Sequence, residues 1–396
     1  MRRWAADVPG VAWVLCGVLP LLQLTISATF PVVPQVREAF ALNYSEVGIY
    51  LASLSFARLL CDLPAGQLAT RFNGRHLLIA SGVLTFAVCV LAALASEYWQ
   101  LLLARMVIGA VTAVNQAVVL AWLVSLASAR NRGVVMGLSE TAFSLMVVFS
   151  PLIAGALAAA LNWRTPFVMG AAAAALALAL VLWGTRDDQA ILGHSAHGAE
   201  HAPSFRRLLP TGGTLLVMGY LLGFAIFFGR QALQSVYLPA LGGDVLGLSP
   251  FLLGLAISGI AVASTGVTLV GSALADRYGR TACVLPGLGL LVLVQTPLVF
   301  IHDVPSYFAL AWLQALAAAV NSLPLSLVGD ALPAAYRGLG MAGYRLVADV
   351  AILAGPLTAG LALDHLGVQG AWGVIWGTTA LCATLAFLAA RRKPAT

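Results

Sequence analysis

The chain has 396 residues, of which 61% are hydrophobic and only 9% charged, and its mean hydropathy is +0.94. That composition lies far outside what a soluble domain of this size carries, so it excludes a water-exposed globular enzyme and points to a chain whose solvent is mostly lipid. The net charge of +6 then reports topology and contact with anionic lipid, not nucleic-acid binding.

A spanning helix needs roughly 20 apolar residues, so the length accommodates about twelve, with short loops and no large soluble domain. The first apolar run, from Val11 to about Pro34, follows Arg2 and Arg3. It is too long for a signal-peptide core and lacks a small-x-small cleavage site, so it reads as the first span. Cutting the chain at charges and turn residues gives spans near 10–34, 46–69, 76–95, 98–125, 134–160, 165–184, 211–238, 250–274, 281–301, 305–328, 338–363 and 370–390. Almost nothing reads as strand. The expected fold class is an all-α membrane protein of twelve transmembrane helices in two six-helix bundles.

The longest polar stretch, Thr185 to Pro210, falls between the sixth and seventh spans and holds Arg186, Asp187, Asp188, Glu200, Arg206 and Arg207. It divides the chain into an N-terminal bundle (1–184), a cytoplasmic linker (185–210) and a C-terminal bundle (211–396). His194, His197 and His201 have a spacing that on a helix could hold a metal, but Gly193 and Gly198 favour a loop, and no metal is expected. Placing both termini inside puts Arg2, Arg3, Arg71, Arg75, Arg130, Arg132, Arg186, Arg206, Arg207, Arg277, Arg280, Arg337, Arg391, Arg392 and Lys393 on the cytoplasmic side. Only Arg37 and Arg164 then fall outside, which is the asymmetry of a multi-pass protein of an inner cell membrane.

Several chemistries drop out. Cys16, Cys61, Cys89, Cys283 and Cys382 stand singly in apolar stretches, with no spacing for disulfides or zinc, and read as packing residues. The sole lysine is Lys393, so a phosphate-binding GxxxxGK[ST] loop cannot exist here. HExxH, GxSxG and a strand-to-helix GxGxxG are missing too, so no enzyme and no cofactor are expected.

The two halves repeat. Arg132-Gly133, Met136, Pro151 and Ala154-Gly155 of the fifth span recur at one constant offset as Arg337-Gly338, Met341, Pro356 and Ala359-Gly360 of the eleventh. Val114-Asn115 and Val320-Asn321 correspond in the fourth and tenth at an offset one residue longer. Parallel duplication of this kind builds a site at the interface of two halves near the bilayer midplane.

These residues resemble the major facilitator superfamily, whose loop between the second and third helices reads roughly G-x-L-A-D-R-x-G-R-R. Here Gly66-Gln67-Leu68-Ala69-Thr70-Arg71-Phe72-Asn73-Gly74-Arg75 stands at that loop, with Thr70 in the usual Asp place. Ser272-Ala273-Leu274-Ala275-Asp276-Arg277-Tyr278-Gly279-Arg280 repeats it in the second half. The resemblance implies the major facilitator fold and conformational roles for Gly66, Arg71, Arg75, Asp276, Arg277 and Arg280. The family's fourth-helix R-x-x-x-G is matched by Arg105 and Gly109, and implies a part in proton transfer for Arg105. The antiporter pattern G-x-x-x-G-P-x-x-G-G survives only partly, as Ser150-Pro151-Leu152-Ile153-Ala154-Gly155. Overall the chain is similar to drug and metabolite exporters of the twelve-helix proton antiporter branch.

Ionisable groups inside hydrocarbon are functional candidates, here Arg58, Asp62, Arg105, Glu140, Arg230, Arg345 and Asp349. Arg58 with Asp62, and Arg345 with Asp349, are four apart and can pair along their own helices. Depth suggests a crosswise alternative. Asp62 and Arg345 each lie roughly 10 Å from the cytoplasmic end, and Arg58 and Asp349 about 16 Å. Glu140 sits about 12 Å deep with no opposite charge evident at matching depth. Desolvation makes it a proton-site candidate; the alternative is a hydrogen bond to a neighbouring helix.

Polar residues expected to face a central substrate cavity are Gln23, Thr25 and Ser27, Asn115 and Gln116, Arg230, Gln231 and Gln234, and Asn321 and Ser322; each could equally bond between helices. Trp13, Trp122, Trp183 and Trp312 are expected to pack or to anchor at interfaces. The expected function is proton-coupled export of a small amphipathic organic compound by a monomer, with the substrate, protons and the bilayer as partners. Uptake of an organic acid, with Arg230 and Arg105 as carboxylate contacts, and a non-transporting sensor or scaffold remain as alternatives.

Overall fold

A computed structural model describes residues 10–126, 132–185 and 208–391. Arg2, Arg3, Arg130, Arg186, Arg206, Arg207, Arg392, Lys393 and the three histidines at 194, 197 and 201 lie outside the described residues. The described chain is helical and contains no strand.

The helices run, in order, α1 (Gly10–Ser27), α2 (Val33–Ala39), α3 (Tyr44–Arg71), α4 (Gly74–Ala93), α5 (Tyr98–Leu126), α6 (Arg132–Ala160) and α7 (Thr165–Gly184). They continue as α8 (Leu208–Gln231), α9 (Pro250–Tyr278), α10 (Val284–Gln295), α11 (Val304–Leu313), α12 (Leu323–Ala331) and α13 (Ala334–Arg391). Short tight or wide turns join several of them: 3-10 turns follow α10 and α11, and π-helical turns extend α8 over Ala232–Tyr237 and Ala240–Val245.

Among the described residues nine helices are long and apolar enough to cross a membrane. Each departure from twelve has a physical cause. At 28 residues α3 is long enough, but Glu46, Arg58, Asp62 and Arg71 depress its hydropathy. The Val284–Phe300 segment is apolar but short. The 58 residues of α13 cover two spans that join at Gly367, whose φ of 67° turns the chain where a side chain would strain it.

The chain divides into two compact units, one of Met1–Phe40, Ser53–Gly198 and Ser249–Ser258, the other of Ala41–Ala52, Ala199–Leu248 and Gly259–Thr396. In the first, α1 is wrapped by α5, α6 and α7, with Leu15, Leu78, Val119, Leu123 and Val181 at the centre. In the second, α8 lies along α12 and α13, with Leu222, Leu288, Leu327 and Ala386 buried. Lipid is as apolar as leucine, so these contacts hold through close packing of small residues and interhelical hydrogen bonds, not through expulsion of water. Ser150 donates to the Leu24 carbonyl at 3.1 Å and Arg164 to the Ala93 carbonyl at 2.7 Å. Large apolar side chains such as Trp183 and Leu269 stay exposed, as lipid-facing residues should.

The start of α3 is unusually well tied. Asn43 and Glu46 form a reciprocal cap, the Glu46 amide donating to Asn43 Oδ1 and the Asn43 amide to Glu46 Oε2, both at 2.8 Å. Asp364 of α13 takes the next two orphan amides, from Tyr44 at 2.9 Å and Ser45 at 2.7 Å.

Candidate functional site

Within the first unit, Arg58 of α3 donates to Gln116 of α5 at 2.6 Å. The sequence assigned these two to different roles, gate and cavity, and the structure joins them. Asn115, one position earlier, points elsewhere: it is 2% exposed and accepts a hydrogen bond from the Ser81 hydroxyl of α4. Consecutive residues on a helix diverge by about 100°, so Asn115 is turned toward Ser81 of α4 while Gln116 is turned toward Arg58 of α3. Thr25 is likewise buried, its hydroxyl returned to the Leu22 carbonyl at 2.7 Å, while Gln23 is half-buried.

Arg105 is only 3% exposed. It donates to Thr29 Oγ1 at 3.0 Å and to the Ile26 carbonyl at 3.3 Å, at the C-terminal end of α1. A guanidinium there meets terminal carbonyls and the negative end of the helix dipole at once. Glu140 is exposed on α6. Asp62 is half-buried.

In the second unit Asp349 is buried at 4% exposure and Arg345 is half-buried. Arg230 is exposed, and its guanidinium carbon stands 5.3 Å from the centre of the Phe227 ring. Gln231, Gln234 and Asn321 are half-buried. Ser322 pairs with Ser272 of α9, hydroxyl to hydroxyl, at 2.9 Å. The second signature loop is pinned by Arg280, which reaches Asp330 of α12 at 3.0 and 3.2 Å and Asp276 at 3.9 Å. In the first loop Gly66 and Arg71 are exposed and Arg75 half-buried. There the Asn73 side chain caps α4 through the Arg75 amide at 2.9 Å, and Gly74 lies under the Trp122 ring.

Three partners were invisible in the sequence: Gln116 for Arg58, Asp330 for Arg280, and Tyr344, which faces the Arg230 and Phe227 cluster with its ring 6.3 Å from Phe227. Local patterning marks none of them, because each contact joins residues far apart in the chain. An apolar recess of about 750 Å³ in the second unit, lined by Leu293, Pro297, Phe300, Leu313 and Trp376 among others, includes none of the residues expected to bind substrate.

The sequence profile of the Major Facilitator Superfamily matches residues 15–299 and 220–396. The chain belongs to the Major Facilitator Superfamily. A probable sugar efflux transporter of Mannheimia succiniciproducens is 23% identical over 354 residues, 86% of each chain. The class C tetracycline resistance protein of Escherichia coli is 26% identical over 289 residues, 69% of this chain and 70% of that one. Among solved structures, a bacterial homolog of the human lysosomal transporter Spinster, inward-facing and unoccupied, superposes with a TM-score of 0.82 at 16% identity over 96% of both chains. This facilitator is therefore a multi-pass membrane transporter of small molecules, with efflux-type relatives, and not an enzyme.

Proposed function

We propose that the chain exports a small amphipathic organic compound in exchange for protons, by alternating access of its two halves around a central site. The observation that carries this reading is the presence of ionisable side chains within the apolar helices, above all Arg105 and Asp349, each buried below 5% exposure. Such groups cost several kcal/mol in hydrocarbon and persist where coupling or gating requires them. The efflux-type relatives support the direction. In this reading Arg105 and Glu140 serve the proton, Gln23, Thr25, Asn115, Gln116, Gln231, Gln234 and Asn321 lie about the substrate path, and the protein works as a monomer in the inner membrane with both termini cytoplasmic.

The gate we assign to Arg58, Asp62, Arg345 and Asp349, paired crosswise as Asp62 with Arg345 and Arg58 with Asp349. Asp62→Arg combined with Arg345→Asp is expected to restore transport lost in each single variant. A double variant as inactive as either single would remove this gate and leave the pairs as intrahelical.

The overall reading is tested in proteoliposomes carrying an interior pH dye, with lipophilic cations, neutral drugs and organic acids added in turn. Proton release coupled to one class is the expected result, and its sign separates export from the second reading, proton-coupled uptake of an organic acid. Silence across all classes, with a compound still binding, would replace the antiporter by a uniporter or a sensor.

A further inference from the structure

Arg230 lies two residues past the middle of the Thr211–Val245 span, and part of its side chain remains exposed although aromatic rings stand against the guanidinium. A cation at that depth needs water or an anionic partner. Among the described residues no carboxylate pairs with it. What surrounds it is aromatic: Phe227 under the guanidinium at 5.3 Å, and Tyr344 against Phe227 with its phenol within electrostatic reach of the charge.

The backbone holds this cluster rigidly. Tyr344 lies on Gly223, where an added Cβ would stand 2.6 Å from the ring, so only glycine lets the ring approach α8 this closely. On α13, Gly355 comes so near that a Cβ would be 2.9 Å from both the Ala232 nitrogen and the Phe228 carbonyl oxygen. Tyr220 adds a hydrogen bond to the Gly340 carbonyl at 3.0 Å. Right after Gln231 the helix widens into its π-helical turns, a feature that recurs at functional sites because it re-aims the side chains around it.

We infer that Arg230, Phe227 and Tyr344 form the recognition subsite for an amphipathic organic anion, the acid group on the guanidinium and the apolar body along the two rings. A planar guanidinium matches a carboxylate with two parallel hydrogen bonds, and the union neutralises a charge that the span otherwise carries unpaired. A lipophilic cation meets repulsion at the same point, so the subsite sets the sign of the cargo. This deepens the transport reading and depends on it only for the ligand being carried; binding stands or falls separately.

The test is binding of phenylbutyrate against its primary amide to the purified full chain in neutral detergent, for wild type, Arg230→Gln and Arg230→Lys. Wild type is expected to prefer the carboxylate by at least about tenfold, the scale of a hydrogen bond to a charged group. Arg230→Gln should bring the two ligands within about twofold, and Arg230→Lys should keep a reduced preference. Equal binding of acid and amide to wild type, no binding of either, or a preference that survives Arg230→Gln overturns the inference. So does displacement by phosphatidylglycerol alone, which would make this a lipid headgroup site. If Arg230→Gln fails to fold, the wild-type comparison still decides. Carboxylate preference without any transport would sink the transport reading and leave the subsite; transport of neutral compounds without carboxylate preference would do the reverse.

Discussion

Valine at Gly48 or Gly155 is expected to abolish transport and to lower the thermal midpoint in detergent by several degrees, or to prevent folding, while alanine gives a milder version of both. In one unit α3 and α13 cross so closely that a Cβ on Gly48 would lie 2.5 Å from the Pro356 carbonyl oxygen, and one on Gly360 2.3 Å from that of Tyr44. In the other unit α6 and α9 repeat the arrangement, Gly155 against Pro250 at 2.3 Å and Gly254 against Pro151 at 2.4 Å. Each glycine meets backbone, which cannot rotate away as a side chain could. This is the small-xxx-small mode of membrane helix packing, and overpacking it costs roughly 1–3 kcal/mol or more per site. Gly48→Ala with Gly360→Ala should be less than additive, because either one already opens the same crossing. Gly48→Ala with Gly155→Ala, at separate crossings, should add. Thermal unfolding followed by tryptophan fluorescence reads both pairs. Unchanged stability in Gly48→Ala and Gly155→Ala would show that these crossings are not as tight as described.

Arg105→Ala is expected to lose about 3 kcal/mol of stability, the cost of removing a charged donor from two buried acceptors. Thr29 and the Ile26 carbonyl would lose their buried partner at the end of α1. Arg105→Lys separates scaffold from coupling. A lysine is a single point charge and cannot reproduce the guanidinium fork, but it keeps the positive charge at the end of α1. It should therefore recover more than half of the lost stability. If Arg105 also handles the proton, Arg105→Lys should remain folded yet fail to couple substrate to pH. A stable Arg105→Lys with normal coupling would reduce Arg105 to a cap on α1.

Hydropathy made most of the spans legible, nine of them among the described residues. Charge nonetheless hid α3 from hydropathy alone; it emerged in the sequence because turn residues bracket it. Which residues are polar at depth could be read directly, but how they are rotated could not. Asn115 and Gln116 are adjacent and equally polar, yet one is spent on Ser81 and the other receives Arg58. Depth follows from counting residues along an axis, whereas facing depends on what the neighbouring helices present, and a single sequence does not state that. The glycine crossings were half visible: Pro151 with Gly155 and Pro356 with Gly360 stood out as a repeat, but Tyr44, Gly48, Pro250 and Gly254 carried no mark of being their partners.

The cap that Asp364 places on α3 also bears on how the protein is made. The donor and acceptor are 320 residues apart, so at ordinary ribosome speeds α3 has only its local Asn43–Glu46 cap for on the order of tens of seconds before Asp364 reaches the Tyr44 and Ser45 amides. Over that interval a weakly hydrophobic segment, carrying Arg58 and Asp62, has to stay in the bilayer without it. A nascent chain halted before residue 364 would hold α3 by its local cap alone, with the Tyr44 and Ser45 amides still lacking the carboxylate that the finished chain supplies.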